Sequence, residues 1–262
     1  MASPAEKGRY SDAAQRRLYP LATVNSATAR PLSAAFAAMR LTPNAVSVLS
    51  LLVSLGGCVM VATGRWTLMW GGALLVHLGL VLDHADGQVA RRRGMGSTWG
   101  MYLDMAIDRV VEIAIVVAAA AAVAQGPRGL PSWLPAPWAP LGALAFVVLC
   151  CGVVGAMMLW RFLTAYNDLL YLRTHMAAGK GPPAAGLKPK GLAKRPLVPF
   201  VFTRDWVLLI WVVGVVAGQL QPTVVLLGAL HVLSCVEKMV VFRLRHADPE
   251  ADAARILGRD YH

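Results

Sequence analysis

The stretch from Asp83 to Asp108, DHADGQVARRRGMGSTWGMYLDMAID, constrains this chain more than any other. Asp83 and Asp86 are three residues apart, and Asp104 and Asp108 four apart. On helices, each pair projects from one face, one turn above the other. Between the pairs lie Arg91, Arg92 and Arg93 and a run with Gly94, Gly96 and Gly100, which suits a reversal between antiparallel helices. The expected result is a cluster of four carboxylates. Such a cluster needs a compensating cation, and carboxylate-only ligands favour a hard ion such as Mg²⁺, Mn²⁺ or Ca²⁺. Solvated helix ends are the plain alternative for any one of these residues.

The flanking sequence tells against that alternative. Hydrophobic residues make up 57% of the 262 and charged residues 15%, with a mean hydropathy of +0.55, the composition of a membrane protein. Acids on facing ends of membrane helices are costly and read as functional. The net charge of +11 raises a nucleic-acid reading. The basic residues, however, are scattered between apolar runs and form no basic helix or aromatic-interleaved patch, so anionic lipid and anionic substrate are the better partners.

In chain order, residues 1–40 read as a cytoplasmic leader followed by an amphipathic interfacial helix from Ala27 to Arg40. Residues 41–246 read as a membrane catalytic domain and 247–262 as a charged cytoplasmic tail. Thr42-Pro43-Asn44 is a helix-start signal with Thr42 as N-cap. Six spans are expected: Pro43 to about Thr63, Thr67 to Ala90, Gly100 to Val123, Leu141 to Arg173, Asp205 to Leu220 and Pro222 to Leu244. The far-side loops then hold only Arg65 and Arg128. The positive-inside rule therefore puts both termini, the acid cluster and the basic loop from Met176 to Arg204 on the cytoplasmic side of the cell membrane. Cys58, Cys150, Cys151 and Cys235 lie in apolar runs and read as small buried hydrophobes. His77 and His231 read as core residues. The leader has no apolar h-region and is not read as a signal peptide.

The pattern D-x-x-D-G-x-x-A-R-x8-G-x-x-x-D-x-x-x-D is filled at Asp83, Asp86, Gly87, Ala90, Arg91, Gly100, Asp104 and Asp108. It resembles the signature of the CDP-alcohol phosphotransferase (phosphatidyltransferase) family. The resemblance implies an all-α, six-span membrane fold, a homodimer, and two Mg²⁺ or Mn²⁺ ions ligated by Asp83, Asp86, Asp104 and Asp108. It further implies a CDP group held by Asp83, Gly87, Ala90, Arg91 and Gly100, and Asp108 as the base that deprotonates the acceptor hydroxyl. Members that use inositol phosphate carry a Lys-x-Arg-Ala-Glu run after the fourth span, and Trp160 to Arg173 lacks it.

Residue chemistry fits these roles. Mg²⁺ keeps coordination sites for phosphate oxygens, and two ions can clamp an in-line displacement at phosphorus. Gly87 and Gly100 let backbone or a flat base approach closely, and Arg91 can grip a diphosphate bidentately. Thr42, Asn44, Arg109 and Arg161 are further candidate contacts to nucleotide or acceptor; capping explains Thr42 equally, and snorkelling the arginines. The expected reaction transfers a phosphatidyl group from CDP-diacylglycerol to a small polar alcohol with release of CMP. The alternatives are a soluble CDP-alcohol donor such as CDP-inositol with an inositol phosphate or lipid acceptor, a cation carrier, and a nucleotide-binding membrane regulator.

Overall fold

Seven α-helices are found among residues 20–126, 128–137, 141–177 and 204–245, the residues that the computed structural model describes. They are α1 Pro20–Ala38, α2 Pro43–Ala62, α3 Trp66–Arg93, α4 Thr98–Gln125, α5 Ala143–Ala177, α6 Arg204–Val216 and α7 Leu220–Arg245. The leader before residue 20, the basic loop 178–203 and the tail after 245 lie outside the described residues.

Among the described residues, four helical stretches are long and apolar enough to cross a bilayer: Pro43–Ala62, Trp66–Arg93, Ala143–Tyr166 and Leu220–Glu237. The expectation of six spans needs α4 and α6 as well. The first half of α4 carries Asp104, Asp108, Arg109 and Glu112, and α6 has 13 described residues, roughly 20 Å at about 1.5 Å per residue. Apolar side chains such as Val59, Val117, Leu144 and Val148 are exposed, the surface expected of helices that face lipid.

Two compact units are formed by Met1–Cys151 with Phe202–Leu227 and by Gly152–Val201 with Gly228–His262. In the first, α2 packs against both α3 and α4. Glycine brings the backbones of α2 and α3 together, since a Cβ on Gly57 would run into the Gly72 carbonyl and one on Gly72 into the Gly57 carbonyl. Ser50 Oγ donates to the Gly79 carbonyl at 3.0 Å further along the same seam. The indole N–H of Trp211 on α6 donates to the Ile115 carbonyl of α4 at 3.0 Å. At the end away from the aspartates, Arg65 and Arg128 make an isolated parallel bridge, and Trp66 Nε1 donates to the Val216 carbonyl at 3.2 Å.

The described helix α1 already covers Pro20–Ala38, earlier than the pattern from Ala27 indicates, and one of its faces is covered by protein. Ala29, with Leu32 and Phe36, packs on Val46, Val81 and Ala85. Beside this apolar contact, Ser33 Oγ donates to Gln88 Oε1 at 2.9 Å and Gln88 Nε2 donates to the Ser26 carbonyl at 2.7 Å. Both amide ends of the buried Gln88 are thus satisfied, as burial requires.

In the second unit, Trp160 and His231 meet edge to face at 6.3 Å, and the Arg161 guanidinium lies 4.5 Å from the centre of the Trp160 ring. His231 is buried, as expected of a core residue. Cys58, Cys150 and Cys235 are buried too, whereas Cys151 is exposed, because successive helical positions point in different directions.

Candidate active site

The reversal that brings the aspartates together is short. Helix α3 ends at Gly94, whose φ of 64° is the left-handed conformation a C-terminal glycine adopts without strain. Three residues later Ser97 caps α4, its Oγ accepting from the Gly100 N–H at 2.9 Å. Arg93 fastens this corner by donating through Nη1 to the carbonyls of Arg40 and Leu41, at 2.9 and 2.7 Å. The ends of α3 and α4 are thereby held beside the start of α2.

Asp83, Asp104 and Asp108 each present a carboxylate oxygen, and these oxygens lie within 4.8 Å of one another. Asp86 stands outside that trio. It is buried, it accepts a hydrogen bond from Ser47 Oγ of α2, and it lines a cavity with Asp104. The expected four-acid cluster is therefore a trio plus a fourth acid anchored by a serine.

The trio suits a divalent ion. Asp83 Oδ1 is buried and has no hydrogen-bond partner among the described residues, a costly state for a carboxylate oxygen unless a cation meets it. The all-oxygen donor set matches Mg²⁺ or Mn²⁺.

The cavity beside the trio has a volume of about 520 Å³, within the range that small-molecule sites occupy. Its walls include Gly87, Ala90, Arg91 and Gly100, the residues singled out from the sequence motif, together with Asn44 and Ser47. Space is tight at Gly100, where a Cβ would come 3.1 Å from Ser97 Oγ and 3.2 Å from Asn44 Oδ1. Of the secondary candidates, Asn44 faces the cavity, whereas Thr42 caps α2, its Oγ1 accepting from the Ala45 N–H at 3.3 Å. Arg109 forms an ion pair with Glu112 and lies 3.5 Å from Asp108. Arg161 belongs to the second unit.

Sequence reasoning missed the other side of the trio. Arg204, the first residue of α6, donates through Nη1 to Asp83 Oδ2 at 2.6 Å and forms an ion pair with Asp108. The next residue, Asp205, accepts at Oδ1 from Asn25 Nδ2 at 2.7 Å and lies 2.8 Å from His84 Nε2. The adjacent pair Asp83-His84 thus meets the adjacent pair Arg204-Asp205. The one sequence signal was an Arg-Asp dipeptide opening an apolar run, which reads equally well as an interfacial anchor.

Comparison with known proteins gives the family and the fold. Residues 40–226 match the CDP-alcohol phosphatidyltransferase family, and the chain belongs to it. It is 34% identical over 86 residues to a phosphatidylinositol phosphate synthase of Mycobacterium marinum, covering 32% of this chain and 36% of that protein. It is 29% identical over 121 residues to one of Mycobacteroides abscessus, covering 46% and 49% respectively. The matches thus span between about a third and a half of these relatives' lengths. The fold is similar to crystal structures of the Mycobacterium tuberculosis phosphatidylinositol phosphate synthase. Against the one with CDP-DAG bound, the TM-score is 0.54 at 20% identity, covering 81% of this chain and 91% of that one. Against the complex with manganese and citrate, it is 0.55 at 19%, covering 80% and 87%.

Proposed function

We propose that this protein is a metal-dependent phosphatidyltransferase that takes CDP-diacylglycerol as donor, passes the phosphatidyl group to the hydroxyl of a small polar alcohol and releases CMP. The observation that carries this reading is the shared wall. Asp104 belongs both to the trio of facing carboxylates and to the glycine-lined cavity, where Gly87, Ala90 and Arg91 are gathered. A nucleoside diphosphate seated in that cavity brings its phosphates against the acids.

In this reading Asp83, Asp86 and Asp104 hold the divalent ions, and Asp108 is both a ligand and the base. Bound there, the ions neutralise the diphosphate and orient it for in-line displacement. Arg91 shares the neutralisation from the cavity rim, and Ser47 keeps Asp86 turned to the site. Asp108 accepts the acceptor's proton as the acceptor oxygen bonds to the β-phosphorus. The bond from that phosphorus to the bridging oxygen breaks, and CMP leaves with the electron pair. Arg109 and Arg204 fix the Asp108 carboxylate from two directions.

The membrane arrangement is part of the proposal. Six spans, with α4 and α6 completing the four apolar stretches, put both termini and the acids at the cytoplasmic face of the cell membrane, and the enzyme works as a homodimer. A polar acceptor then arrives from the cytoplasm while the donor's acyl chains stay in lipid. Inositol phosphate is the first acceptor to test, because the relatives matched over part of their length are phosphatidylinositol phosphate synthases.

A second reading keeps the chemistry and exchanges the partners, with a soluble donor such as CDP-inositol and an inositol phosphate or lipid acceptor. The adjacent Asp108-Arg109 pair, which resembles that of family members with a soluble CDP-alcohol donor, supports it, while the missing Lys-x-Arg-Ala-Glu run between Trp160 and Arg173 counts against inositol phosphate as the acceptor in the main reading. One experiment separates the two. CMP release is measured with purified protein, Mg²⁺ or Mn²⁺ and CDP-diacylglycerol, adding serine, glycerol phosphate, inositol or inositol phosphate in turn. A parallel arm supplies CDP-inositol with inositol phosphate or phospholipid in place of CDP-diacylglycerol. Release in the first arm supports the main reading, release only in the second supports the alternative, and none in either rejects both.

A further inference from the structure

On the reading that Asp83, Asp104 and Asp108 hold divalent ions, we propose that Arg204 is a built-in counter-cation of the site. It engages one oxygen each of Asp83 and Asp108, so that an incoming ion binds against a resident positive charge, and its position is set by a clasp of Asp205, His84 and Asn25.

Three carboxylates with oxygens within 4.8 Å repel one another strongly. Arg204 supplies the opposing charge from inside the protein. Its side chain is 10% exposed, and a single nitrogen, Nη1, serves both Asp83 and Asp108. Its Nε and Nη2 are buried and have no hydrogen-bond partner among the described residues. The guanidinium's own hydrogen bonds therefore do not lock its orientation.

The lock lies one residue further on. Asp205 receives Asn25 from α1 and His84 from α3 on the same carboxylate oxygen. Because His84 follows Asp83 and Asp205 follows Arg204, two consecutive positions of α3 are tied to two consecutive positions of α6. That double tie fixes the start of α6 and aims Arg204 at the trio. Arg204 and Asn25 thereby become positioning residues that set how tightly the acids hold a metal, with no contact to the reacting atoms assigned to them.

The test is the dissociation constant for Mn²⁺ alone, read by electron paramagnetic resonance on the purified full-length protein without nucleotide. Arg204→Gln is expected to tighten Mn²⁺ binding by about tenfold or more, since one positive charge at contact distance is removed. Arg204→Lys keeps the charge and should stay within about threefold of wild type. Asn25→Ala changes no charge, yet by loosening the clasp it should tighten binding by about two- to fivefold, and the double variant should bind no tighter than Arg204→Gln alone. If Arg204→Gln binds Mn²⁺ as wild type does or more weakly, the counter-cation is refuted. If Asn25→Ala has no effect or adds fully to Arg204→Gln, the clasp is refuted. Should Arg204→Gln not fold, Arg204→Lys and Asn25→Ala decide: wild-type affinity in Asn25→Ala, or a change beyond threefold in Arg204→Lys, overturns the inference. Asp104→Asn separates this from the underlying reading, because Mn²⁺ bound equally well without that carboxylate means that the trio is not the metal site.

Discussion

The two sides of the row of acids are built differently. On the side of Asp86 and Asp104 the walls are rich in glycine, with Arg91 and two methionines among them, and they enclose a cavity of about 520 Å³. On the side of Asp83 and Asp108 the carboxylates meet charged protein groups: Arg204 and Arg109 pair with them, and Asp205, tied to His84 and Asn25, adjoins Arg204. The first side offers open space where a nucleotide can approach, and the second holds its carboxylates among paired charges, with Asp108 left to meet the acceptor hydroxyl. The same four acids thus meet an empty, adaptable partner on one flank and a preorganised one on the other, as expected when substrate binding and positioning are divided between two faces of a site.

The sharpest way to break this division is to remove the ion on which both sides converge. Exhaustive chelation is expected to abolish CMP release, and Mn²⁺ or Mg²⁺ to restore it. Activity that survives chelation would leave the acids without their proposed role. Next in size, Asp108→Asn should lower kcat by about 10³-fold or more while the KM for the CDP-linked donor moves only a few-fold, since general-base assistance contributes roughly 10²- to 10⁴-fold. An equal loss through KM would move Asp108 to the binding side.

A change on the cavity side should give the opposite signature. Gly100→Leu places a side chain where even a Cβ meets Ser97 and Asn44 at 3.1–3.2 Å. It is expected to raise the donor KM by about tenfold or more, roughly 1.4 kcal/mol of binding, with a smaller effect on kcat. Smallest is a change remote from both sides. Ser33→Ala removes the hydroxyl that satisfies Gln88 and should cost about 1 kcal/mol of stability, read as a lower thermal midpoint.

The cavity side was largely legible in the sequence, and the clasp side was not. Asp83, Asp86, Asp104 and Asp108 stand at helical spacing, glycines mark the reversal, and Thr42-Pro43 announces the start of α2; all of these are local signals. Arg204 reaches Asp83 across 121 positions and Asn25 reaches Asp205 across 180. Contacts at such separations leave no periodicity to read. His84 was hidden by its place inside the acid motif, and Gln88 by its place on an apolar helix, where only packing against α1 gives it Ser26 and Ser33 as partners.

The most direct test of the central claim is anomalous scattering from crystals of the protein soaked in Mn²⁺. The account predicts a peak at roughly 2 Å from carboxylate oxygens of Asp83 and Asp104, with Asp86 or Asp108 completing the set, on the wall shared with the cavity. A map with no peak between these side chains, or with manganese bound only elsewhere on the protein, would contradict it.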